Sequence, residues 1–237
     1  VDQTNWNLLE QNMSAAGVPA VIRDPDLMRQ AFIHPTWAIE NRLPPGSDNQ
    51  RLEFLGDAVL GLMAGELLYR LYPDRPEGDL TSIRAVAVSE ATLSRLATEL
   101  GLGDFLLLGR GEEKSGGRWR PSILADVFEA WLGALYLQTD FTDLRHWISG
   151  LLEPVVLEIV KQGYKDPKTR LQEMVQDRHK RSVTYRILEE TGPDHDKTFT
   201  AAVVWEDEIV AVGRGKSKKE AERAAAAQAV DWFRLQG

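Results

Sequence analysis

The sequence predicts two folds in one chain: an all-α domain over residues 1–160, followed by a small α+β domain of order α-β-β-β-α over residues 165–237. Three observations lead there. Apolar residues recur at helical spacing through the first 160 positions, with few strand-like alternations. At KQGYKDPKT (161–169) a Gly and a Pro interrupt a polar stretch, which places the boundary near Lys165. Beyond it, SVTYRILEETG, KTFTAAVVWED and EIVAVGRGK are rich in Val, Ile, Thr, Tyr and Phe with partial alternation, as expected of three short strands.

Composition sets the bounds. At 43% apolar and 27% charged the chain matches ordinary globular proteins, so both parts are expected to fold. The absence of cysteine excludes disulfide frameworks, thiolate zinc sites and cysteine nucleophiles. No uncharged apolar run of about 18 residues appears, and VDQTNWNLLEQ lacks a basic region followed by an apolar one; a cytoplasmic protein without membrane contact is expected. The net charge of -8 argues against a nucleic-acid binder until the chain is divided. Residues 164–237 carry 14 Lys and Arg against 13 Asp and Glu, leaving 14 against 23 for residues 1–163. The acid excess therefore belongs to the helical part, where a cation-holding cluster can explain part of it, although a solvated acidic surface is the commoner explanation of such a bias.

Within the helical part, breaks fall at LPPGSDN (43–49), YPDRPEGD (72–79) and GRGEEKSGGRWRP (109–121). After the first, NQRLEFLGDAVL (49–60) reads as a helix capped by Asp48 or Asn49. At about 100° per residue, Leu52, Leu55, Val59 and Leu62 share a core stripe, and Glu53 and Asp57 share a second face. Phe54, Ala58, Gly61 and Gly65 lie on a third, which suits close packing against another helix. A helix at 122–137 carries Asp126 and Glu129 at i and i+3, with small Ala130 and Gly133 alongside that let something approach the acids.

An isolated acid pair on a helix is ordinarily a solvated face. These two pairs interrupt helices that otherwise read as buried, where an unpaired carboxylate is costly. Protonation, basic partners or hard divalent cations can each stabilise such groups, and too few basic residues lie within the two helices to neutralise four acids. An oxygen-only ligand set without Cys or paired His points to Mg²⁺ or Mn²⁺ and away from zinc.

RLEFLGDAVL and LADVFEAWLGA, with the loop motifs PEGDL and GEEKSGGR, resemble the nuclease domain of bacterial ribonuclease III, and the similarity runs through nearly the whole chain. The resemblance implies a homodimeric endoribonuclease that cuts double-stranded RNA with Mg²⁺, for which Mn²⁺ may substitute, leaving 5'-phosphate and 3'-hydroxyl ends in rRNA and mRNA maturation. It makes Glu53, Asp57, Asp126 and Glu129 the metal-binding acids, with Asp57 and Glu129 catalytic, and Glu77 a further acidic active-site residue. Gln50 stands where many members carry Glu; it keeps hydrogen-bonding capacity without charge, so an accessory role there departs from the pattern. The face of Phe54, Ala58, Gly61 and Gly65 is the expected symmetric interface.

The second domain is similar to the double-stranded-RNA-binding domain through KTRLQE, the GPDH loop, FTAAV and GRGKSKKEAERAAA. By that resemblance Thr169, Gln172 and Glu173 contact one minor groove, His195 enters the next, and Lys216, Lys218 and Lys219 hold the phosphates between. GKSKK also precedes a helix, whose N-terminus favours phosphate, although a run of lysines is commonly a solvated face.

Other residues attract blander readings. His34 has a proline beside it and no acid spaced alongside, which suits a structural hydrogen bond. Arg110, Lys114 and Arg118 fit a phosphate grip or a solvated loop equally. The Trp and Met residues suit core and interface, so no organic cofactor is expected. The rival functional reading is a catalytically idle double-stranded-RNA-binding protein on a dimeric helical scaffold; Gln50 favours it and the four acids oppose it.

Overall fold

The computed structural model describes residues 3–19, 22–164, 167–193 and 197–235. The chain divides into two compact units, 1–164 and 165–237. Unit 1 is helical throughout: α1 (Gln3–Ala15), α2 (Pro25–Gln30), α3 (Pro35–Glu40), α4 (Gln50–Leu71), α5 (Glu77–Ala87), α6 (Glu90–Glu99), α7 (Arg110–Lys114), α8 (Pro121–Gln138) and α9 (Phe141–Gln162), with single 3₁₀ turns at Leu102–Phe105 and Gly117–Trp119. One isolated parallel bridge joins Ile33 to Leu107. Among the described residues no helix is long and apolar enough to cross a membrane.

Two long helices, α4 and α8, form the centre of unit 1. α8 is buried on nearly every side, from Ile123 to Leu135 with Asp126 and Glu129 as the polar interruptions, because a helix that is apolar all round must be enclosed. α4 approaches it most closely at two glycines, which mark a seam between the helices. A Cβ on Gly56 would overlap the backbone carbonyl of Glu129, and one on Gly133 would overlap the carbonyl of Leu52. Each helix thus uses a glycine to bring its partner's backbone to contact.

This seam revises the expected faces of α4. The buried stripe is Leu52, Gly56, Val59, Leu60, Met63, Ala64, Leu67 and Leu68, whereas Leu62, assigned to the core by its spacing, is 60% exposed. It lies instead beside Phe54 and Ala58, and among the described residues a Cβ on Gly61 would meet nothing within 4 Å, while one on Gly65 would meet only Arg84 of α5 at 3.7 Å. The helix begins without a side-chain cap; Asn49 occupies the cap position, and Asp48 Oδ1 accepts the N–H of Gln50 at 3.2 Å.

Unit 2 runs α10 (Pro167–His179), β1 (Thr184–Thr191), β2 (Thr198–Trp205), β3 (Glu208–Gly215) and α11 (Lys218–Leu235). The sheet is antiparallel in sequence order, with Arg186 opposite Ala202 and Ala202 opposite Val212. Glu206 and Asp207 make the β2–β3 turn with φ of 49° and 68°, the left-handed pair that a two-residue hairpin requires. The alanines of α11 let it lie against β3, where a Cβ on Gly213 would strike the backbone of Ala221 and Ala225. α10 and α11 run parallel. Lys168 Nζ meets Glu222 at 2.6 Å near their N-termini, and Arg178 Nη1 donates to the carbonyl of Phe233 at 3.3 Å near their C-termini.

Candidate active site

The seam between α4 and α8 assembles the acids. Glu53 and Asp57 flank Gly56 on α4, and the backbone of Glu129 rests on that glycine, so Glu129 enters beside both. Asp126 stands one turn earlier on α8. Burial raises the Glu53 carboxyl above its ordinary range, and the charges of Asp126, Asp48 and Asp57 raise it further. Burial likewise raises Asp126, with Glu90 adding to it. Glu129 is pushed up to about 7, first by burial and then by Asp57, Glu53 and Asp126. The four acids therefore act on one another electrostatically.

Among the described residues no three His, Cys, Asp or Glu groups already converge as a cation cage. The donor set nevertheless suits a hard divalent cation: Glu53, Asp126 and Glu129 are half-buried carboxylates raised first by burial and then by neighbouring negative charge, which a positive ion would relieve. Glu53, Asp57, Asp126 and Glu129 are the candidates that would hold one.

Glu77 does not join this group within the chain. It opens α5, beyond the far end of α4, where its carboxylate accepts the Thr81 hydroxyl at 2.7 Å. From Asp57 to Leu71 is 14 residues of helix, about 21 Å at 1.5 Å each. Gln50 is exposed at the start of α4. Sequence reasoning names Asp48 only as a cap and not as a charge beside Glu53, and it does not reach Glu90 beside Asp126, which lies 36 positions from its neighbour with no spacing rule to link them.

The glycine-rich loop is largely self-satisfied. Arg118 forms a two-pronged pair with Glu113, at 3.0 and 2.5 Å, and donates to the carbonyl of Gly103 at 2.6 Å, while Arg120 pairs with Glu112 at 2.5 Å. Arg118 thus builds the loop. His34 caps α3 and shares its Nδ1 with the Thr36 hydroxyl at 2.8 Å, a structural role; burial lowers its pKa, with Glu112 opposing.

In unit 2, Thr169, Gln172 and Glu173 share one face of α10, and Gln172 Nε2 donates to Ser182 Oγ at 3.0 Å. Lys216, Lys218 and Lys219 are exposed where α11 begins. Ser217 and Glu220 cap that helix: Ser217 Oγ accepts the N–H of Glu220 at 3.2 Å, and Glu220 Oε2 accepts the N–H of Lys216 at 2.8 Å. The S-x-x-E signal was present in SKKE and went unread beneath the lysines. The Lys168–Glu222 pair sets the first turns of α10 and α11 side by side, so the two groups of candidate contacts occupy the same end of the unit. His195 lies outside the described residues.

A helical unit with an acidic seam, joined to an α-β-β-β-α unit with a basic helix start, defines the class of a hydrolytic domain coupled to a nucleic-acid-binding domain. The Ribonuclease-III-like family matches residues 24–155, and the double-stranded RNA binding motif matches residues 167–232. Ribonuclease 3 of Desulforamulus reducens is 49% identical over 207 residues, covering 87% of this chain and 84% of that protein. Ribonuclease 3 of Moorella thermoacetica is 48% identical, covering 87% and 88%. The crystal structure of the nuclease domain of ribonuclease III from Campylobacter jejuni superposes with a TM-score of 0.55 at 37% identity, over 63% of this chain and 95% of that one. A second structure of that nuclease domain, at 36% identity and a TM-score of 0.55 over 62% and 96%, is described by flexibility in a region involved in dimer formation. The chain belongs to the ribonuclease III family.

The raised acids carry a sign that can be measured. Without a cation, folded Glu129 keeps a proton that the unfolded chain gives up at lower pH. Stability is therefore greatest below the ordinary carboxylate range and declines as pH rises through about 7. His34 acts oppositely, since its lowered value costs stability as pH falls. Thermal melts in EDTA at pH ~5 and ~8 isolate the acid contribution when compared with Glu129→Gln, which is expected to lose less stability over that interval. Mg²⁺ is expected to raise the melting point of the parent mainly at the higher pH.

Proposed function

We propose that this protein is a Mg²⁺-dependent endoribonuclease of double-stranded RNA, acting in the cytoplasm in rRNA and mRNA maturation. The observation that supports the reading is the α4–α8 seam, where the backbone of Glu129 lies against Gly56 and the charges of Asp57, Glu53 and Asp126 act on its carboxyl. When bound, Mg²⁺ or Mn²⁺ supplies activation of water and charge neutralisation at the attacking and leaving oxygens. The four carboxylates would hold the ion, and Glu129, whose carboxyl is pushed up to about 7, would have to be ionised to take part. Hydrolysis would leave 5'-phosphate and 3'-hydroxyl ends. Cleavage of a long RNA duplex in Mg²⁺ that stops in EDTA is the expected result; no cleavage in either leaves the idle RNA-binding reading.

Unit 2 supplies the duplex. Thr169, Gln172, Glu173 and His195 would meet the minor groove, and Lys216, Lys218 and Lys219 the phosphates, helped by the N-terminus of α11. Changing the three lysines together to Ala is expected to weaken duplex binding and flatten its dependence on salt. Gln172→Ala and His195→Ala should instead reduce the preference for RNA over DNA duplexes at an unchanged salt slope. Isotherms for both duplexes at several salt concentrations separate the two effects; an unchanged slope in the triple variant would leave those lysines a solvated face.

A homodimer completes the site. Phe54 (80% exposed), Leu62 and Tyr69 (74% exposed) continue the expected interface along one side of α4. A two-fold contact that runs this stripe antiparallel to its copy sets the far end of one α4, with Glu77, beside the acids of the other. Mixing Glu77→Gln chains with Glu129→Gln chains tests this, because a mixed dimer then keeps one whole site. Recovery of single-strand nicking on mixing is expected; a mixture no faster than its components would place Glu77 with its own chain's acids.

A further inference from the structure

Arg75, Asp79 and Tyr164 form a cluster that none of the roles above uses. α9 ends at Gln162, and Gly163, at a φ of 93° that an L side chain rarely adopts, turns the chain so that Tyr164 folds back onto the α4–α5 connection. There the Tyr164 hydroxyl accepts a hydrogen bond from Arg75 Nη1 at 2.6 Å and donates one to Asp79 Oδ2 at 2.8 Å. The guanidinium of Arg75 stands 4.8 Å from the ring centre of Tyr72 and 5.5 Å from that of Tyr164, and 3.9 Å from Asp79 Oδ2.

These contacts have a direction. A guanidinium only donates and a carboxylate only accepts, so the phenol between them has its proton committed to Asp79. Both bonds involve a charged partner, and the guanidinium lies within cation–ring distance of both tyrosines. Asp79 is only 18% exposed at its side chain, which keeps water from replacing the phenol cheaply. The atoms so held belong to the first turn of α5: the Pro76 carbonyl accepts the N–H of Asp79 at 3.0 Å and of Leu80 at 3.2 Å. Glu77 and Gly78 are the exposed residues inside that turn, and of the two only Glu77 carries a side chain. Fixing Asp79 fixes the rotation of the turn, and with it the direction in which Glu77 leaves the surface.

We infer that Tyr164, acting through Asp79 and Arg75, is a positioning residue for Glu77. The inference rests on the reading of Glu77 as an active-site group, and it gives the last residue of unit 1 a part in catalysis that does not involve touching RNA. Tyr164→Phe removes the hydroxyl and keeps the ring, so fold and cation contact should survive. For the full chain on an RNA duplex in Mg²⁺, kcat is expected to fall roughly tenfold, as for a small misplacement of an active-site group, with KM nearly unchanged. Duplex affinity measured in EDTA should stay at the parental value, and amide hydrogen exchange at 79–81 should quicken. Asp79→Asn should reproduce the loss without adding to it.

The decisive comparison is with Glu77→Gln. If Tyr164 works through Glu77, then Tyr164→Phe costs nothing further once Glu77 has been changed. The same loss of kcat in both backgrounds would overturn the inference, as would a parental kcat in Tyr164→Phe, or a loss that appears in duplex affinity instead. Glu77→Gln with parental kcat would remove the reading of Glu77 and the inference together. A slow Glu77→Gln beside a normal Tyr164→Phe would remove the inference alone.

Discussion

Glu129→Gln is expected to abolish duplex cleavage, a loss of at least about a thousandfold in kcat, while duplex affinity in EDTA remains within about twofold. The substitution is nearly isosteric, so the seam where the backbone of Glu129 meets Gly56 is preserved. What disappears is the carboxylate on which Asp57, Glu53 and Asp126 all act. An amide cannot supply the negative charge that a divalent cation requires. Removing it also relieves repulsion, so the variant should melt at a higher temperature than the parent in EDTA at pH above about 7. Near-parental turnover in saturating Mg²⁺ would show that the chemistry lies elsewhere.

Gly56→Ala is expected to be the most damaging single-methyl change in unit 1. In an unobstructed helix interior Ala is preferred to Gly by about 1 kcal/mol, so steric overlap has to outweigh that gain to be seen. Here the new carbon would fall on the Glu129 carbonyl, a backbone group that cannot rotate aside, and α4 and α8 would have to separate along their length. A cost of about 3 kcal/mol or more follows, enough to leave little folded protein in a marginally stable domain. Gly150 of α9 supplies the control, since a Cβ there meets nothing within 4 Å and Ala should stabilise by up to about 1 kcal/mol. Equal melting temperatures for the two alanine variants would mean that the close approach at Gly56 is not needed.

Much of the fold was legible because periodicity reports burial. Helical spacing marks the helices of unit 1, and the strands and flanking helices of unit 2 begin within a few residues of their expected positions. The acids were legible for a related reason: charge in a helix such as ILADVFEAWLGALYL has no inexpensive explanation. What spacing could not supply was which small residues are contacts. Gly56 and Gly61 look alike in LEFLGDAVLGL, yet one bears the backbone of α8 and the other faces open space. Leu62 was misplaced by the same ambiguity, because a helix with two apolar sides permits more than one choice of inward face. The tie between Tyr164 and Asp79 spans 85 positions, and no local rule reaches so far.

The parallel course of α10 and α11 bears on how unit 2 first meets a polyanion. With 14 basic against 13 acidic residues over positions 164–237, its monopole draws almost nothing from a distance. Two helix axes pointing the same way, with lysines at the start of one of them, give it a dipole instead. Near a duplex, the field then acts mainly as a torque, turning that end inward during diffusion before any side chain makes contact. Such alignment raises the fraction of productive collisions without tightening the final complex, and at physiological salt it works only within a Debye length of about 8 Å.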